Sequence, residues 1–362
     1  LHLSRLHWLT VIARGSTFRF RDGQSSAQVG AALDARYVLS GTIEEAGGDP
    51  AVSVILEEAR TGRVVWADRY SIAREDALEV KSRIARAIVV ELDSQIAMNE
   101  AIEARGFGTE HLDAWSNYHL GLFHMYRFTA ADNAAATGHF RKALELDPYF
   151  ARAHAGLSFS RFQDAFTYYE DDRERSMGEA RAAAERAVEL DPRDPFANFN
   201  LGRCHWLEHD LDAGRLHLER AVSLNPNYAQ GLYSLAFTNA ISGRATEALG
   251  GVEQSLRLSP LDPLLYGMLG TRALSLLHEG DTERAAHWGD RAARAPAAHF
   301  LIGMIAVSTN EIEGNDAKAR AWSEHVRARR PDATRAQFLR SFPFRNDAVH
   351  RRIETALRKH GF

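Results

Sequence analysis

The residues with the clearest potential for chemistry are two histidines and a glutamate near the middle of the chain. His205, Glu208 and His209 form the string H-x-x-E-H. Two histidines four positions apart on a helix can bind one zinc ion, and a glutamate beside them can act as a general base. However, no downstream acidic residue is identifiable as a further ligand, and the string falls where a helix is expected to end. We therefore interpret it as an ordinary helix end and expect no metal site.

Other patterns of catalytic or cofactor-binding residues are weaker still. Cys204 is the single cysteine, so the chain can form no internal disulfide and no cysteine cluster for zinc. No glycine-rich phosphate loop and no G-x-S-x-G string is present. Acidic pairs such as Glu57–Glu58 and Asp171–Asp172 are most simply solvated edges. We therefore expect a chain with no catalytic activity of its own and no cofactor.

Composition and charge narrow the class of protein further. The chain has 362 residues, of which 45% are hydrophobic and 25% charged, with a net charge of −4. This balance gives no general attraction to nucleic acid or anionic membranes, so we expect no direct contact with nucleic acid. No apolar stretch reaches the roughly 18 residues that a membrane span needs. The chain begins at Leu1 without a methionine, on what resembles the last turn of a helix, and we expect further residues upstream.

Three prolines define a repeat in the larger part of the chain. Pro192, Pro226 and Pro260 lie 34 residues apart and close the phrases AVELDP, AVSLNP and SLRLSP, while Pro148 closes an earlier copy. A 34-residue period ending in proline is typical of the tetratricopeptide repeat (TPR), a helix pair that stacks into a superhelix with a concave binding surface. We predict six such pairs over residues 111–331, with small residues where the two helices of a pair cross.

Two features depart from the regular period. The second pair is about ten residues longer than the others, because 44 residues separate Pro148 from Pro192, and we expect the extra length near Asp164–Arg175. Residues 332–362 are predicted to form capping helices, of which the last, Asp347–Lys359, covers the exposed end of the array.

Residues 1–104 do not share the repeat. After a helix end at Leu1–Leu6, we predict a strand at Trp8–Ala13, a short helix at Ala27–Asp34, strands at Arg36–Ala46, Ala51–Glu58 and Val64–Tyr70, and a long helix from Glu75 to about Ala104. Turn signals between the last three strands favour an antiparallel meander. The predicted fold class is therefore α+β: a small, incomplete α/β domain at 1–104, a linker at 105–110, and an all-α TPR superhelix of about six helix pairs.

Several strings in this chain resemble one family arrangement. WLTVIARGSTF, ARYVLSGTIEEAGG and TGRVVWADRY are similar to the TolB-amino-terminal-like domain of large bacterial signalling chains, and FLRSFPFRNDAVHRRIETALRKHGF is similar to the end of their TPR arrays. The resemblance implies a position between an upstream output domain and a carboxy-terminal TPR array. That output domain is either a winged-helix DNA-binding domain or a class III adenylate cyclase. The resemblance thus implies the regulatory half of a signalling protein, with a transcriptional regulator favoured over a cyclase and a periplasmic adaptor as a third alternative.

The candidate binding site is the concave face of the array. In TPR arrays this face is lined by positions on the first helix of each pair. In this register these positions are Arg152, Phe159, Phe162, Phe196, Phe199, Arg203, Trp206, Gln230, Tyr233 and Phe237. Aromatic residues and arginine are favoured in binding hot spots, so we predict one continuous exposed surface that binds a protein or peptide. The alternative is that these rings pack between neighbouring first helices. Leu201, Leu235 and Leu269 are predicted to be buried.

The remaining expectations concern location and assembly. We expect a cytoplasmic protein that binds a partner protein or peptide and can form a homodimer. A periplasmic location stays open as the alternative if a membrane span lies upstream of Leu1.

Overall fold

The computed structural model describes residues 9–12, 14–17, 20, 24–44, 51–71, 77–106, 112–345 and 347–362. The predicted helix end at Leu1–Leu6 lies outside these residues, as does most of the predicted linker. The chain divides into two compact units, residues 1–110 and residues 111–362.

The first unit is a small sheet covered by one long helix. Its elements are α1 (Arg14–Thr17), α2 (Ser26–Leu33), β1 (Tyr37–Glu44), β2 (Ala51–Glu58), β3 (Arg63–Ser71) and α3 (Ala77–Gly106). The strands pair antiparallel in the order β1-β2-β3, as the meander prediction required. Leu56 of β2 packs with Val89, Leu92 and Ile96 of α3 in a buried cluster. The apolar stripe of α3 therefore holds the helix against the sheet.

The predicted strand at Trp8–Ala13 is wrong for the described part of that segment. Residues 9–12 adopt no strand conformation, and Leu9 packs, partly buried, against the cluster around Leu56. A strand needs a neighbouring strand for its backbone hydrogen bonds, and the sheet of the described residues contains β1, β2 and β3. The apolar run thus contributes a side chain to the core without joining the sheet.

The second unit contains helices and no strands among its described residues. Its helices are α4 (Ala114–Met125), α5 (Ala130–Leu146), α6 (Ala151–Thr167), α7 (Arg173–Leu190), α8 (Pro195–Leu207), α9 (Leu211–Leu224), α10 (Ala229–Ile241), α11 (Ala245–Leu258), α12 (Leu265–Glu279), α13 (Thr282–Arg294), α14 (Phe300–Glu313), α15 (Asp316–Arg329), α16 (Arg335–Ser341) and α17 (Asp347–Lys359). Helices α4 to α15 pack in six successive pairs. The predicted fold class, a small α/β unit followed by a TPR-like array, is confirmed.

The repeat phrase explains where the second helix of each pair ends. Asp147, Asp191 and Asn225 are the last residues before a repeat proline, and each has an extended backbone at the helix end. Proline disfavours a helical conformation in the residue before it, because its ring clashes with the preceding backbone. The helix therefore stops at the same point in each repeat. The first helix of the next pair starts a few residues later.

The extra length of the second pair lies mainly in its helices. Helices α6 and α7 contain 17 and 18 residues, whereas α8 and α9 contain 13 and 14. The second pair therefore extends beyond its neighbours at the turn between α6 and α7.

Small residues bring paired helices close together, as predicted. A Cβ atom added to Gly121 of α4 would lie 2.5 Å from the ring of Phe140, and one added to Gly156 of α6 would lie 2.4 Å from it. Phe140 of α5 is fully buried between these glycines. Its ring occupies the space that two side chains would otherwise need.

Helix α17 packs against α14, with Ile353 and Leu357 fully buried. It thereby covers a face of the last pair, as expected of a capping helix. Among the helices of the described residues, none combines the length and the apolar character that crossing a membrane requires.

Candidate functional site

The first helices of the six pairs meet one another across the axis of the array. Phe128, which follows α4, lies 5.8 Å between ring centroids from Tyr266 of α12. Phe166 of α6 lies 5.5 Å from His299, the residue before α14. Each contact joins two pairs that are four repeats apart. The inner face of this array is therefore filled by side chains.

The predicted continuous exposed surface is wrong. Nine of the ten residues predicted to line that surface are buried, namely Phe159, Phe162, Phe196, Phe199, Arg203, Trp206, Gln230, Tyr233 and Phe237. Arg152 is half-buried and forms an ion pair with Asp194 at 2.8 Å. The physical reason is that contacts across the axis, together with residues of the carboxy-terminal tail such as Phe342, fill the space in front of the first helices. The alternative interpretation, that the rings pack between first helices, describes the structure, and their contact with a partner stays a prediction.

The array binds a segment of its own chain. We define the groove segment as residues 335–345, which comprise α16 and the four residues after it. The Ser341 hydroxyl donates to the carbonyl of Phe166 at 3.0 Å, and the Arg345 N–H donates to the carbonyl of Ile241 at 2.8 Å. The last carbonyls of a helix have no partner within the helix. The groove segment therefore supplies donors to the carboxyl ends of α6 and α10.

The groove segment also accepts a hydrogen bond and fills an apolar pocket. The Trp206 indole N–H donates to the carbonyl of Ser341 at 2.8 Å. The ring of Phe342 lies 4.5 Å from Phe338, 5.4 Å from Phe237 and 5.7 Å from Phe166, and only 2% of its surface is exposed. Backbone hydrogen bonds with aromatic anchors are how a groove binds a peptide.

Two residues that hold the groove segment have a strained backbone. Tyr168 and His209 have φ angles of 57° and 65°, whereas the last three pairs have glycine at the corresponding turn. A left-handed conformation costs a residue with a side chain about 1–2 kcal/mol. The Tyr168 hydroxyl donates to the carbonyl of Gln337 at 3.2 Å, and His209 Nε2 lies 3.2 Å from the carbonyl of Arg340. Phe128, at the equivalent turn of the first pair, also has a positive φ of 53° and packs against Tyr266 instead. Sequence reasoning did not identify the contacts of Tyr168 and His209 with the groove segment.

The two histidines of the H-x-x-E-H string contact different neighbours. The ring of His205 stacks on His217 at 5.4 Å, and its Nδ1 lies 3.3 Å from Arg181 Nη1. His209 follows the end of α8 and faces Arg340 of the groove segment. The turn after α8 therefore separates the two imidazoles, and they do not form a common site.

Three potential metal ligands do meet at the end of the array. Oxygen and nitrogen atoms of Glu311, Asp316 and His360 lie within 4.8 Å of one another. Lys359 Nζ lies 2.7 Å from Glu311 and 2.6 Å from Asp316, and His360 Nε2 lies 2.7 Å from Glu311. The ammonium group supplies the positive charge that these carboxylates need, so the cluster is an ion-pair network that attaches α17 to α14 and α15.

A small cavity lies between the groove segment and the first helices. Its volume is about 20 Å³, and Arg203, Tyr233, Tyr266, His299 and Phe342 contribute to its wall. Burial lowers the pKa of Arg203 to about 10 and that of His299 to about 3, and it raises the pKa of Tyr233 to about 12. At neutral pH, Arg203 is therefore charged while the phenol and the imidazole are neutral.

Ser341→Ala is expected to loosen the groove segment and to lower the free energy of unfolding by about 1–3 kcal/mol, because it leaves the buried Phe166 carbonyl without its donor. Hydrogen exchange of the segment's amides and urea denaturation measure the two effects. Ser223→Ala is the matched control, since Ser223 is exposed and donates only to Arg220 in its own helix. It should change stability by less than about 0.5 kcal/mol. Equal effects of the two variants would contradict the assigned contact.

Comparison with known proteins places the array among TPR-like folds. No family model matches the chain. A protein of Rhizobium meliloti (strain 1021) named "Putative adenylate cyclase 3" is 26% identical over 200 residues, which are 55% of this chain and 34% of that protein. The solved structure of the APC/C hetero-tetramer Cut9-Hcn1 matches 71% of this chain and 48% of that chain with a TM-score of 0.53 and 12% identity. A thermophilic TPR protein of Thermus thermophilus matches 54% of this chain and 98% of its own with a TM-score of 0.43 and 17% identity.

The structural likeness concerns the fold alone. The sequence match makes the chain a distant relative of the Rhizobium protein over about half of its length, and the match spans about a third of that protein.

Proposed function

We propose that this chain is a non-catalytic regulatory module of a bacterial signalling protein, and that its TPR groove binds a peptide segment of a partner protein. The observation that carries the proposal is the groove segment itself. An array that binds residues 335–345 through backbone hydrogen bonds and buried phenylalanines has a surface suited to an aromatic peptide. A partner segment would use the same contacts and would compete with the groove segment for them.

The contacts of the groove segment specify the chemistry of that partner. Two phenylalanines four residues apart, Phe338 and Phe342, enter the apolar pocket and stack on each other at 4.5 Å. Arg345, at the other end of the segment, pairs with Asp212 at 2.9 Å. The partner segment is therefore a short helical turn with two aromatic side chains on one face, followed by a basic residue.

The output that this module regulates has two candidates. The relationship to the Rhizobium protein favours control of an adenylate cyclase, because the matched residues cover 55% of this chain. The resemblance of the first unit to the TolB-amino-terminal-like domain supports either a cyclase or a transcriptional regulator of the winged-helix type. Cyclic AMP measured in cells that make the protein from its own gene, with and without Phe342→Ala, separates the two. A changed cyclic AMP level supports the cyclase, whereas an unchanged level with altered transcription supports the regulator.

The module acts by binding and has no catalytic role in this proposal. Cys204 illustrates the reason, since it is buried, its Sγ lies 3.7 Å from Ser158 Oγ, and burial raises its pKa to about 12. Such a thiol is a poor nucleophile at neutral pH. Turnover of ATP, a peptide or an ester by the purified chain, abolished by one point substitution, would contradict this part. We also propose that the module is cytoplasmic, and fractionation of cells tests this location.

The groove is tested by a photo-crosslinking amino acid at position 209. His209 is exposed and contacts the groove segment, so a crosslinker there reaches any peptide that replaces it. In living cells it should form a discrete product with a partner protein. Excess synthetic peptide of residues 335–345, added to a cell extract before irradiation, should prevent formation of that product. Phe342→Ala should increase the amount of product severalfold, because it weakens the internal competitor.

The control crosslinker replaces Leu216, an exposed residue of α9 with 62% of its surface accessible. It should not form the product. An identical product from both positions, or a product that the peptide does not reduce, would overturn the assignment of the groove.

A further inference from the structure

Arg203 is a buried cation without an anion. Only 4% of its surface is exposed, and no carboxylate of the described residues lies within ion-pair distance of its guanidinium group. Its Nη1 is enclosed and has no hydrogen-bond acceptor among the described residues. Removing a charged group from water is costly unless a counter-charge and hydrogen bonds compensate for it. Something must offset this cost in the folded protein.

Nearby aromatic rings offset only part of the cost of burying the charge of Arg203. The guanidinium carbon lies 3.7 Å from the ring centroid of Phe162, 4.4 Å from that of Phe159 and 5.0 Å from that of Phe199. Cation–π contacts are attractive but leave the net charge in place and accept no conventional hydrogen bond. The three rings therefore position the guanidinium group and do not neutralise it.

The cavity beside Arg203 is lined by further hydrogen-bond donors. The hydroxyl groups of Tyr233 and Tyr266 form no hydrogen bond with any described residue, and both side chains line the cavity. His299 also lines it, although its Nδ1 is itself enclosed and has no partner within the described part of the chain. Among the residues that the structure describes, Arg203 is the one charged side chain in the wall of this cavity. A permanent cation, two phenols and an imidazole, with no carboxylate among them, form a donor set for an anion.

We propose that the cavity around Arg203 is a binding site for a compact monovalent anion, either a halide such as chloride or a carboxylate group. The volume of about 20 Å³ is enough for one water-sized occupant. A halide fits the cavity in its present form. A carboxylate enters when Phe342, which forms part of the wall, moves with the groove segment. The site joins the array's first helices α8, α10 and α12, so the anion stabilises their packing.

The test compares thermal unfolding of the full chain in sodium chloride, sodium formate and sodium gluconate at equal ionic strength. Gluconate is too bulky for the cavity. Chloride or formate at a hundredfold excess over its Kd should raise Tm by about 5 °C relative to gluconate, because a ligand that binds the folded state alone stabilises it by mass action. A response to chloride alone assigns a halide site, and a response to formate assigns a carboxylate site. Equal Tm values in all three salts would overturn the proposal.

Two variants locate the effect. Arg203→Met should remove the anion response and leave Tm in gluconate no lower than that of the parent, because a buried uncompensated charge is lost. Tyr266→Phe removes one hydroxyl and keeps the ring, so it tests the site even if Arg203→Met does not fold. It should raise the Kd of the anion about tenfold. The matched control is Arg152→Met, which breaks the ion pair with Asp194 and should lower Tm equally in every salt while keeping the anion response.

A crystal soaked in bromide gives direct evidence. An anomalous peak in the cavity, within hydrogen-bond distance of Arg203, supports the proposal. A site that holds water only, or an anion response that survives in Arg203→Met, would refute it.

Discussion

Trp206→Ala is expected to lower the free energy of unfolding by about 3–5 kcal/mol, the range for deleting a large buried aromatic side chain. The indole is 2% exposed, its ring lies 4.1 Å from that of Phe237, and its N–H binds Ser341. The substitution therefore leaves a cavity in the core and a carbonyl without its donor. Urea denaturation monitored by circular dichroism measures the loss.

The comparison is with Leu235→Ala. Leu235 is half-buried, contrary to the expectation from sequence, whereas Leu201 and Leu269 are buried as predicted. Its loss should cost only about 1–2 kcal/mol, because less apolar surface returns to water. Leu216→Ala on the exposed surface of α9 serves as the control and should change stability by less than about 0.5 kcal/mol. If Leu235→Ala proves more damaging than Trp206→Ala, the inner face is open and the groove segment does not fill it.

Acid is expected to destabilise the protein through His299. Burial, with a smaller contribution from Arg329, lowers the pKa of its imidazole from 6.5 to about 3. Below pH 6.5 the unfolded chain binds a proton that the folded chain does not, so the stabilising contribution is present above pH 6.5 and is lost as the pH falls toward 3. At pH 5 the free energy of unfolding is therefore about 2 kcal/mol lower than it is well above pH 6.5. The His299 side chain is half-buried and contributes to the wall of the cavity beside Arg203.

The measurement is the free energy of urea unfolding at pH 7, 6 and 5. His299→Gln should reduce the difference in the free energy of unfolding between pH 7 and pH 5 by about 2 kcal/mol, because glutamine does not titrate. His287→Gln, at an exposed position, should leave the difference unchanged. Asp164 acts in the opposite direction, because burial raises its pKa to about 6 and its protonation stabilises the folded state as the pH falls. Identical pH profiles for the parent and His299→Gln would contradict the assignment.

The failed expectation about the groove shows what a repeat pattern leaves open. The register placed Phe199, Trp206 and Phe237 on the inner side of the first helices, and the structure has them there. Whether that side is exposed depends on how tightly the superhelix closes. That depends on contacts such as Phe128 with Tyr266, which join residues far apart in the chain. A single sequence carries no local signal for such contacts.

From the sequence, the groove segment was predicted only as part of the capping helices at residues 332–362, and not as a segment that the array binds. Phe338, Phe342 and Phe344 stand out as an aromatic cluster in the tail, which resembles the end of a TPR array. The spacing of Phe338 and Phe342 indicates one face of a helix, but it does not identify the surface that receives them. Tyr168 and His209 were a second signal, since each occupies a turn where other pairs of the array have glycine.

The sequence by itself determined the helix pairs, their 34-residue register and the antiparallel meander of the first unit. These features depend on interactions over a few residues: a proline that ends a helix, a cap that starts one, and turns that join strands. The tertiary structure alone decided that the array's inner face is closed, that residues 335–345 occupy it, and that Arg203 borders a cavity. Those features depend on pairs such as Trp206 and Ser341, which are 135 residues apart. Their meeting is set by the summed geometry of all the intervening helices, which no local pattern encodes.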